Sequence, residues 1–461
     1  MKGVKVFTII VFAAILIVPL ALFNFKPDAV SEIDNRKLAD SPFGANADKS
    51  QSLTTRMENY VNDRIGLRDE MILGYTVVND VVFNKMVHPS YTYGKDGYVF
   101  GAGIMTKNDF GEFHTSFADM VSQMQAYCNR RKIPFLFVLN PSKPAILTKK
   151  LPSSVNYDRS SITQFVAELK KRGVNYVDNT ETLQKLSDSG TEVFNKKYDA
   201  NHWNETGAYY GTLNSLQKLK ETCPNVHINE ESEFDITTET KTSLPVSKFP
   251  INEKVPVYTP KITTWSKLDK YEGLPFDKDY HNFDYVTNNV RKQEGCPRAL
   301  VFQGSYMNTG GHKFYENAFG ECIQIHSYNN VIDFPSYFNI FQPDCVVFEV
   351  TDYAIKPDFF NFDRMKGLTY NIPFSALKGV DPLPRPVSYD SFDIKKNDNF
   401  TVISWRSDES FDDVWLKMDN VYDMVKTKNG YTVIVPTKEK DNFTGKLQVL
   451  TYKDRQLCSY S

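Results

Sequence analysis

Three side chains in this 461-residue sequence have the types needed for a serine nucleophile, its base and an orienting acid. Ser305 follows the predicted strand 298–303 after a single glycine, and Asp199 and His202 stand in a D-x-x-H pattern. A serine hydroxyl is a weak nucleophile that needs an adjacent base, and that base needs a carboxylate to orient it. We therefore expect Ser305 to be the nucleophile, His202 the general base and Asp199 the orienting carboxylate.

Each part of this set also has an ordinary structural explanation. A Gly-Ser pair after a strand is most often only a turn, and an Asp three residues before a His is often a helix N-cap beside a surface histidine. The context favours chemistry, because the D-x-x-H pattern opens a predicted helix with Asn204 and Gly207 close behind it.

Further polar residues stand near the ends of predicted parallel strands, where open α/β sheets collect their active residues. Lys143 has two interpretations, since it can bind a polyanionic acceptor or simply lie on the surface. The candidates for substrate or oxyanion contacts are Tyr306, Asn308, Tyr328, Asn329, Asp352, Lys143 and Trp203.

The apolar spacing around these residues is typical of an α/β fold. Continuous apolar runs indicate strands buried on both faces, as in a parallel sheet, and helical spacing separates them. We place the catalytic domain at 94–380, with a long irregular excursion of a few short strands at 228–297. The predicted strands are 134–139, 174–177, 298–303, 322–325 and 345–350, and the predicted helices are 110–131, 160–172 and 208–221.

The carboxyl-terminal part of the chain has a different pattern. Residues 381–386 alternate proline with other residues and are predicted to form a stiff linker. Residues 387–461 are predicted to form a small β-domain, in which Asn429-Gly430 is a strong hairpin signal between 421–428 and 431–435. Its aromatic residues can form a sugar platform or the core, and the core is favoured in so small a domain. They are Trp405, Trp415, Tyr422 and Tyr431.

The amino terminus carries a targeting signal. Lys2 and Lys5 precede an uncharged run at 6–23, which is just long enough to span a bilayer. The positive flank keeps the amino terminus inside and sends the rest across. The run lacks a small-residue cleavage site, which favours an uncleaved signal anchor at 1–25 over a secreted form. We expect an extracytoplasmic protein with a juxtamembrane helical stalk at 26–93, in which the helical spacing of 53–83 is broken at Gly66.

Composition narrows the function classes. The formal net charge of −2 provides no field that would attract nucleic acid. Neither zinc-type Cys/His spacing nor a cofactor motif is apparent, so we predict no metal and no organic cofactor. The six cysteines are widely spaced and leave any disulfide pairing open. Cys345, which stands in an apolar run, is predicted to be a buried thiol.

Several stretches together resemble SGNH hydrolases, and more closely the alginate O-acetyltransferase family of AlgX/AlgJ type with its DHHW relatives. In this sequence the Asp/His block precedes the serine block, as it does in that family, and this order resembles a circular permutation. The resemblance covers roughly 30–370. The stretches that carry it are Asp34-Asn-Arg36, Tyr60-Val-Asn-Asp63-Arg64-Ile-Gly66-Leu-Arg68, Gly94-Lys-Asp-Gly97-Tyr-Val-Phe100, Asn140-Pro-Ser-Lys143, Asp199-Ala-Asn-His202-Trp-Asn204, Gly304-Ser305-Tyr306 and Pro343-Asp344 to Thr351-Asp352.

The resemblance implies an SGNH-like parallel sheet between layers of helices, and transfer of an acetyl group through an acyl-serine to a cell-surface or secreted polysaccharide. It also implies a membrane-bound O-acyltransferase as donor partner. The sequence departs from the family in its D-x-x-H spacing, its Gln303-Gly304-Ser305 block, and Asp352 where an oxyanion-hole Asn is usual. The oxyanion donors are then expected among the backbone N–H groups near Ser305 and Tyr306 and the side chain of Asn308. A carbohydrate esterase and a catalytically inactive polysaccharide-binding scaffold remain alternatives.

Overall fold

The amino-terminal segment begins with a long apolar helix. The computed structural model of the chain describes residues 2–461 except 32, 35, 89, 106–108, 246–247, 263–264, 269–281, 327, 330 and 438–446. Residues Gly3–Ala21 are long and apolar enough to cross a membrane, and their side chains are almost all exposed, as fits a signal anchor or a signal peptide. The elements of this segment are α1 (Lys2–Ala21), β1 (Val30–Ser31), β2 (Arg36–Lys37), α2 (Leu53–Arg64) and α3 (Arg68–Phe83).

Two of the stretches that carry the family resemblance, Asp34-Asn-Arg36 and Tyr60 to Arg68, contact each other near the end of α1. The Arg36 guanidinium donates to both carboxylate oxygens of Asp63, at 2.7 and 2.6 Å, and Arg68 pairs with Asp34. The predicted break at Gly66 is confirmed, since α2 ends at Arg64 and α3 begins at Arg68. We call the intervening residues 65–67 the elbow.

A seven-stranded mixed sheet forms the centre of the described structure, in the order β6-β5-β13-β11-β12-β10-β9. The first five of these strands run parallel to one another, β10 pairs antiparallel with β12, and β9 pairs antiparallel with β10. The elements from here to the end of the domain are β3 (Tyr91–Tyr93), β4 (Val99–Gly101), α4 (Glu112–Arg130), β5 (Phe135–Asn140), α5 (Lys143–Ile146), α6 (Ser160–Lys171), β6 (Tyr176–Asp178), α7 (Thr180–Asp188), α8 (Glu205–Lys220), β7 (Phe234–Ser243), β8 (Pro250–Pro260), β9 (Trp265–Lys267), β10 (Asn282–Asn288), α9 (Asn289–Gln293), β11 (Arg298–Phe302), α10 (His312–Glu316), β12 (Glu321–His326), α11 (Phe334–Phe341), β13 (Cys345–Thr351) and α12 (Phe362–Met365).

Helices cover both faces of this sheet, which explains the continuous apolar runs. Because side chains alternate along a strand, Phe137 of β5 joins one core with α4, α6 and α11, while Val138 joins a second core with α7, α8 and α10. The predicted α/β sandwich is thus confirmed, with two antiparallel edge strands added. The permuted order of the sequence blocks stays a prediction.

The excursion predicted at 228–297 is more regular than expected. β7 and β8 form a long antiparallel hairpin, with Phe234 opposite Pro260, and β9 and β10 extend the main sheet. The prediction of short, irregular strands was therefore wrong for most of the described part, and residues 269–281 lie outside it. The Thr, Lys and Glu content that indicated irregularity reflects instead a hairpin whose β7 strand is largely exposed.

The carboxyl-terminal residues form two further sheets, in the orders β14-β22-β21-β17-β18 and β15-β16-β20-β19. The predicted linker at 381–386 was wrong in part, because β14 lies inside it and pairs in parallel with β22. The strands are β14 (Leu383–Arg385), β15 (Phe392–Lys396), β16 (Phe400–Arg406), β17 (Asp413–Lys417), β18 (Val421–Asp423), β19 (Val425–Thr427), β20 (Gly430–Pro436), β21 (Gln448–Lys453) and β22 (Gln456–Tyr460).

The hairpin and the aromatic residues of this β-domain agree with the favoured interpretations. The predicted turn residues were wrong by one position, because Thr427 pairs with Gly430 and the two-residue turn is therefore Lys428-Asn429. Gly430, the first residue of β20, has a positive φ of 134° that favours glycine. Trp405, Trp415 and Tyr431 are buried in the cores of the domain, and Tyr422 is half-buried against one of them.

Asp423 connects the β-domain to the central domain. Its carboxylate accepts hydrogen bonds from the Tyr127 hydroxyl at 2.5 Å, from Arg131 at 2.8 Å and from the Asn371 amide at 3.2 Å. Its backbone pairs with the side chain of Asn339. Both domains therefore share one buried polar junction.

Replacing Asp423 should loosen this junction. We expect Asp423→Ala to lower the free energy of unfolding by about 3 kcal/mol, because Arg131 and Tyr127 would be left buried without their acceptor. The measurement is chemical denaturation of the full chain in detergent. Asp398→Ala, which removes an exposed carboxylate from the β15–β16 turn, should change stability by less than about 0.5 kcal/mol. Equal stability of the two variants would contradict the assignment.

Candidate active site

Ser305 lies just beyond the carboxyl end of the central strand β11, where a helical segment begins. The Gly304 N–H donates to Glu349 Oε2 at 2.8 Å, and Glu349 Oε1 accepts from the Asn140 amide at 2.6 Å. A Cβ at Gly304 would lie 1.7 Å from the Tyr328 hydroxyl, so only glycine fits there. Burial raises the pKa of Glu349 to about 7. The carboxyl group thus fixes the turn from inside the sheet.

His202 and Asp199 approach Ser305 from the loop before α8. Ser305 Oγ lies 2.8 Å from His202 Nε2, and His202 Nδ1 lies 2.8 Å from both carboxylate oxygens of Asp199. Burial alone would raise the pKa of Asp199, but the charge of His202 and hydrogen bonds from His202 and the Asn201 backbone hold it below its ordinary value. With Nδ1 protonated, Nε2 is the acceptor for the Ser305 hydroxyl.

The loop that carries Asp199 is held from two directions. Glu253 of β8 accepts the backbone N–H groups of three consecutive residues, 196–198, at 2.5 to 2.9 Å. The Lys143 ammonium donates to the carbonyl oxygens of Val99 at 2.8 Å, Lys196 at 3.3 Å and Asp199 at 3.5 Å. Asp199 itself has a φ of 54°, an uncommon conformation for a residue with a side chain. The surrounding contacts therefore impose the loop geometry.

Lys143 does not lie where either interpretation of the sequence placed it. Its side chain is completely buried, with the ammonium 5.4 Å from the centre of the Phe100 ring, so it is neither a surface residue nor open to a polyanionic acceptor. Burial lowers the pKa of Lys143 to about 7. Lys143 supports the Asp199 loop from behind.

Trp203 and Tyr306 also help to hold the loop that carries His202 in place. Both side chains are buried, and the Trp203 indole N–H donates to the Tyr306 carbonyl at 2.9 Å. The Tyr306 hydroxyl donates to the Asn201 carbonyl at 2.9 Å, and its ring packs edge-on against His202. These contacts join the histidine loop to the serine turn. The Tyr306 side chain is thus committed to the loop, while its N–H, in the first helical turn, remains a candidate oxyanion donor.

Asn308 belongs to a polar cluster beside the serine turn. Its amide donates to His326 Nδ1 at 2.8 Å, and its carbonyl oxygen accepts from Gln303 at 3.1 Å and faces His312 Nε2 at 2.8 Å. Burial lowers the pKa of His326 to about 4. One of the two N–H donors of the amide that was expected to stabilise an oxyanion is therefore directed at His326.

Asp352 is turned away from any developing oxyanion. Its carboxylate accepts the Ser142 backbone N–H at 3.0 Å and the Arg159 guanidinium at 3.2 Å, inside the protein. Burial raises the pKa of Asp352, against the opposing charge of Arg159. The repulsion expected from a carboxylate at this position is offset by that guanidinium.

Tyr353, which the sequence reasoning did not single out, faces the nucleophile instead. Its hydroxyl lies 3.5 Å from Ser305 Oγ, and burial raises the pKa of Tyr353 above its usual value, so the hydroxyl keeps its proton. The available signal was its place directly after the buried strand β13, at the sheet edge where Ser305 also lies.

The remaining candidates lie around the turn after β12. Tyr328 packs its ring against Phe359 and Phe360 and places its hydroxyl over Gly304, whereas Asn329 is exposed. In the described part of the chain, no group of three or more His, Cys, Asp or Glu side chains could hold a metal ion. All six cysteines are free thiols, and Cys345 is buried as predicted.

The arrangement can perform acyl chemistry. A serine hydroxyl, an imidazole acceptor and an orienting carboxylate stand in one hydrogen-bonded line, with a neutral phenol beside the nucleophile. Ser305, His202 and Asp199 are all partly exposed, so a substrate can reach them.

Comparisons with known proteins agree with the motifs. Residues 92–246 match the family model described as the SGNH hydrolase-like domain of acetyltransferase AlgX, which confirms the predicted resemblance over that range. The matched range contains Lys143, Asp199 and His202 but not Ser305. No curated protein matches the chain.

A comparison with solved structures found several similar chains. PatB1 of Bacillus cereus, solved with a sulfonyl adduct, is 18% identical over 60% of this chain and 99% of its own, with a TM-score of 0.45. The O-acetyltransferase domain of Pseudomonas putida AlgJ is 14% identical over 61% and 98%, with a TM-score of 0.42. A DHHW family protein from Eubacterium siraeum is 15% identical over 62% and 98%, with a TM-score of 0.40.

Removing the Lys143 ammonium, which is buried and donates to the Asp199 carbonyl, should impair catalysis. We expect Lys143→Met to lower kcat/KM for an activated ester about 100-fold, because a displaced Asp199 loop misaligns His202. Stability should also change with pH. Since the pKa of Lys143 is about 7 when folded and near 10.5 when unfolded, the unfolded state binds the extra proton between these values. The contribution of Lys143 to stability should therefore rise with pH across that window.

Denaturation at a series of pH values checks this second expectation, and the stability of the wild type relative to Lys143→Met should rise across the window. Lys149→Met, at a side chain that is 90% exposed, is the matched control and should keep both the activity and the pH profile. A Lys143→Met enzyme with wild-type kcat/KM would show that the loop needs no ammonium.

Proposed function

We propose that this protein is an extracytoplasmic O-acetyltransferase that acts on a cell-surface or secreted polysaccharide through an acyl-Ser305 intermediate. The observation that carries the proposal is the 2.8 Å contact between Ser305 Oγ and His202 Nε2, with Asp199 at His202 Nδ1. The match of residues 92–246 to an acetyltransferase family model supports acetyl as the transferred group.

The first half of the reaction loads the enzyme. His202 Nε2 takes the proton of Ser305 as Oγ attacks the donor carbonyl, and Asp199 stabilises the imidazolium that forms. When the tetrahedral intermediate collapses, the bond to the donor's leaving group breaks and His202 returns the proton to that group. Ser305 then carries the acetyl ester.

The second half transfers the acetyl group to the acceptor. A sugar hydroxyl gives its proton to His202 as its oxygen attacks the ester carbonyl, and the bond to Ser305 Oγ breaks. His202 then protonates Oγ, so the free enzyme is restored. Water in place of the sugar would give the esterase reaction, which uses the same residues.

Tyr353 is the side chain that we assign to the oxyanion. Its protonated hydroxyl stands 3.5 Å from Ser305 Oγ, within reach of an oxygen bonded to the same carbon that Oγ attacks. The backbone N–H groups of Ser305 and Tyr306 lie in the first turn of a helical segment, where amides have no carbonyl partner inside the helix. Together these donors replace the usual Asn, which is Asp352 here.

We base the proposed localisation and partners on α1 and on the similarity of residues 92–246 to the AlgX family model. We assign α1 as a signal anchor, which leaves the active site outside the cell membrane. A long polysaccharide acceptor fits a catalytic set that is partly open to solvent. Since the donor must cross the membrane, a membrane-bound O-acyltransferase is the partner that we assign to the first half-reaction.

The acyl-enzyme and its fate can be tested directly. We expect the full chain, given an activated acetyl ester and a surface-type oligosaccharide, to add acetyl groups of about 42 Da each to the sugar faster than it releases acetate. Ser305→Ala should abolish both reactions, whereas Ser410→Ala, at an exposed serine of the β-domain, should change neither. Mass spectrometry of the protein and the sugar measures both products.

The outcomes separate the alternatives. Acetate release that no oligosaccharide changes, with an acetyl adduct on Ser305, would favour the esterase. The absence of both turnover and an adduct in the wild type would favour the binding scaffold.

The oxyanion assignment gives a second test. We expect Tyr353→Phe to lower kcat about 100-fold with little change in KM, because the hydroxyl acts on charge that develops only in the transition state. Tyr210→Phe, which removes a hydroxyl that donates to Glu231 at the surface, is the control. An unchanged kcat in Tyr353→Phe would contradict the assignment of Tyr353, and the backbone N–H groups would then be the oxyanion donors.

A further inference from the structure

The exposed face of α3 is apolar, whereas a helix face in contact with water is normally polar. From Met71 to Phe83, every exposed residue is apolar, aromatic or glycine: Met71, Gly74, Tyr75, Val78, Val81, Val82 and Phe83. The exposures are high, with 77% at Val81 and 63% at Tyr75. A surface helix in water normally turns its charged and polar residues outward. This face therefore has an apolar partner.

The inward face of α3 is occupied by the protein. Thr76 is buried, and Asp80 accepts the Tyr93 hydroxyl at 2.6 Å. Val77 packs against a core that includes Val99 and Ala200, next to the loop of Asp199. Since α3 is fixed by these contacts, it cannot rotate its apolar face inward.

The apolar face is also a coherent stripe. Met71, Tyr75, Val78 and Val82 follow the i, i+4, i+7, i+11 pattern, which places them within about 60° of arc on a helix of 3.6 residues per turn. The stripe extends over most of the 16 residues of α3.

The elbow that starts α3 is bonded to the end of α1. The Gly66 N–H donates to the Pro19 carbonyl at 2.9 Å, and a Cβ at Gly66 would lie 2.4 Å from Leu22 Cβ. The buried Arg64 guanidinium donates to the carbonyls of Asn24 at 3.1 Å and Lys26 at 2.7 Å. Pro19 lies within the apolar span Gly3–Ala21. In an anchored chain the elbow is therefore level with the last turn of the spanning helix.

α2 shows the same apolar character on the other side of the elbow. Leu53, Met57 and Val61, at i, i+4 and i+8, are each about 45% exposed, while Thr54 and Glu58 are exposed on the polar side. An apolar stripe beside a polar face is the pattern of a helix that lies in the plane of a membrane surface. α2 ends at the elbow and α3 begins after it, and both helices carry an exposed apolar stripe.

We propose that the elbow and the stripes of α2 and α3 form a second membrane contact, whose occupant is the lipid bilayer surface. The proposal rests on the proposed anchoring of α1, with which these surfaces are continuous through the elbow. Because the inner face of α3 packs beside the Asp199 loop, this contact sets the orientation of the active site relative to the membrane. The site is then fixed near the bilayer, and does not swing on a flexible tether.

The test places a fluorescent reporter on the stripe in the full-length chain. Cys296 is the only one of the six cysteines that is not buried, so Cys296→Ser is the background for Val78→Cys and Tyr75→Cys, each labelled with an environment-sensitive dye. One protein copy is placed in each lipid nanodisc, and quenching by nitroxide-bearing lipids is measured. Ile10→Cys in α1 and Ile236→Cys, an exposed residue of β7, are the positive and negative controls.

We expect lipid nitroxides to quench the dye at Val78 and Tyr75 about threefold more than at Ile236, as for side chains inserted at the membrane interface. Quenching equal to that at Ile236, with Ile10 quenched, would overturn the proposal. Stripe residues shielded only when two copies or another membrane protein share the disc would also overturn it. An unquenched Ile10 would overturn the anchoring of α1, and with it this contact. Acetyl transfer by the full-length wild type is measured separately, and its absence identifies a failure of the proposed function whatever the quenching at Val78 and Tyr75 shows.

Discussion

The 2.8 Å hydrogen bond between Ser305 and His202 is the constraint that the central domain satisfies. Its two residues are 103 positions apart in the chain and belong to different elements. Proton transfer requires hydrogen-bond reach, so the turn after β11 and the loop before α8 must both be held to within a fraction of an ångström. The parallel sheet supplies the first position, and a set of buried polar contacts supplies the second.

Buried ionisable groups hold both segments in place. Burying a charge costs free energy unless the charge is paired and hydrogen-bonded. Glu349 holds the serine turn through Gly304, and Lys143 holds the histidine loop through three carbonyl oxygens. Asp352 is neutralised by Arg159 and bonded to the Ser142 N–H. Such groups contribute little net stability, but any other arrangement would leave them unpaired. They therefore select a single geometry for the site.

Segments outside the sheet contribute to the same geometry. The hairpin of β7 and β8 supplies Glu253, which accepts three N–H groups of the Asp199 loop. The β-domain is attached through Asp423 to Tyr127 and Arg131 of α4 and to Asn339 of α11. α3 links the end of α1 to the core beside Ala200. The excursion and the stalk are thus supports of the central domain.

The sequence by itself determined the α/β class, the main helices and strands, the break at Gly66, the hairpin before β20 to within one residue, and the grouping of Ser305, His202 and Asp199 as candidates. These follow from apolar periodicity and local motifs, which depend on neighbours in the chain. Other features were decided only by the tertiary structure. They are the regularity of the β7–β8 hairpin, the burial of Lys143, the pairing of Asp352 with Arg159, the hydrogen bond from the Asn308 amide to His326 and the position of Tyr353 beside Ser305. Each depends on a partner from a distant segment, because the direction and burial of a polar side chain are set by what folds against it and not by its own neighbours.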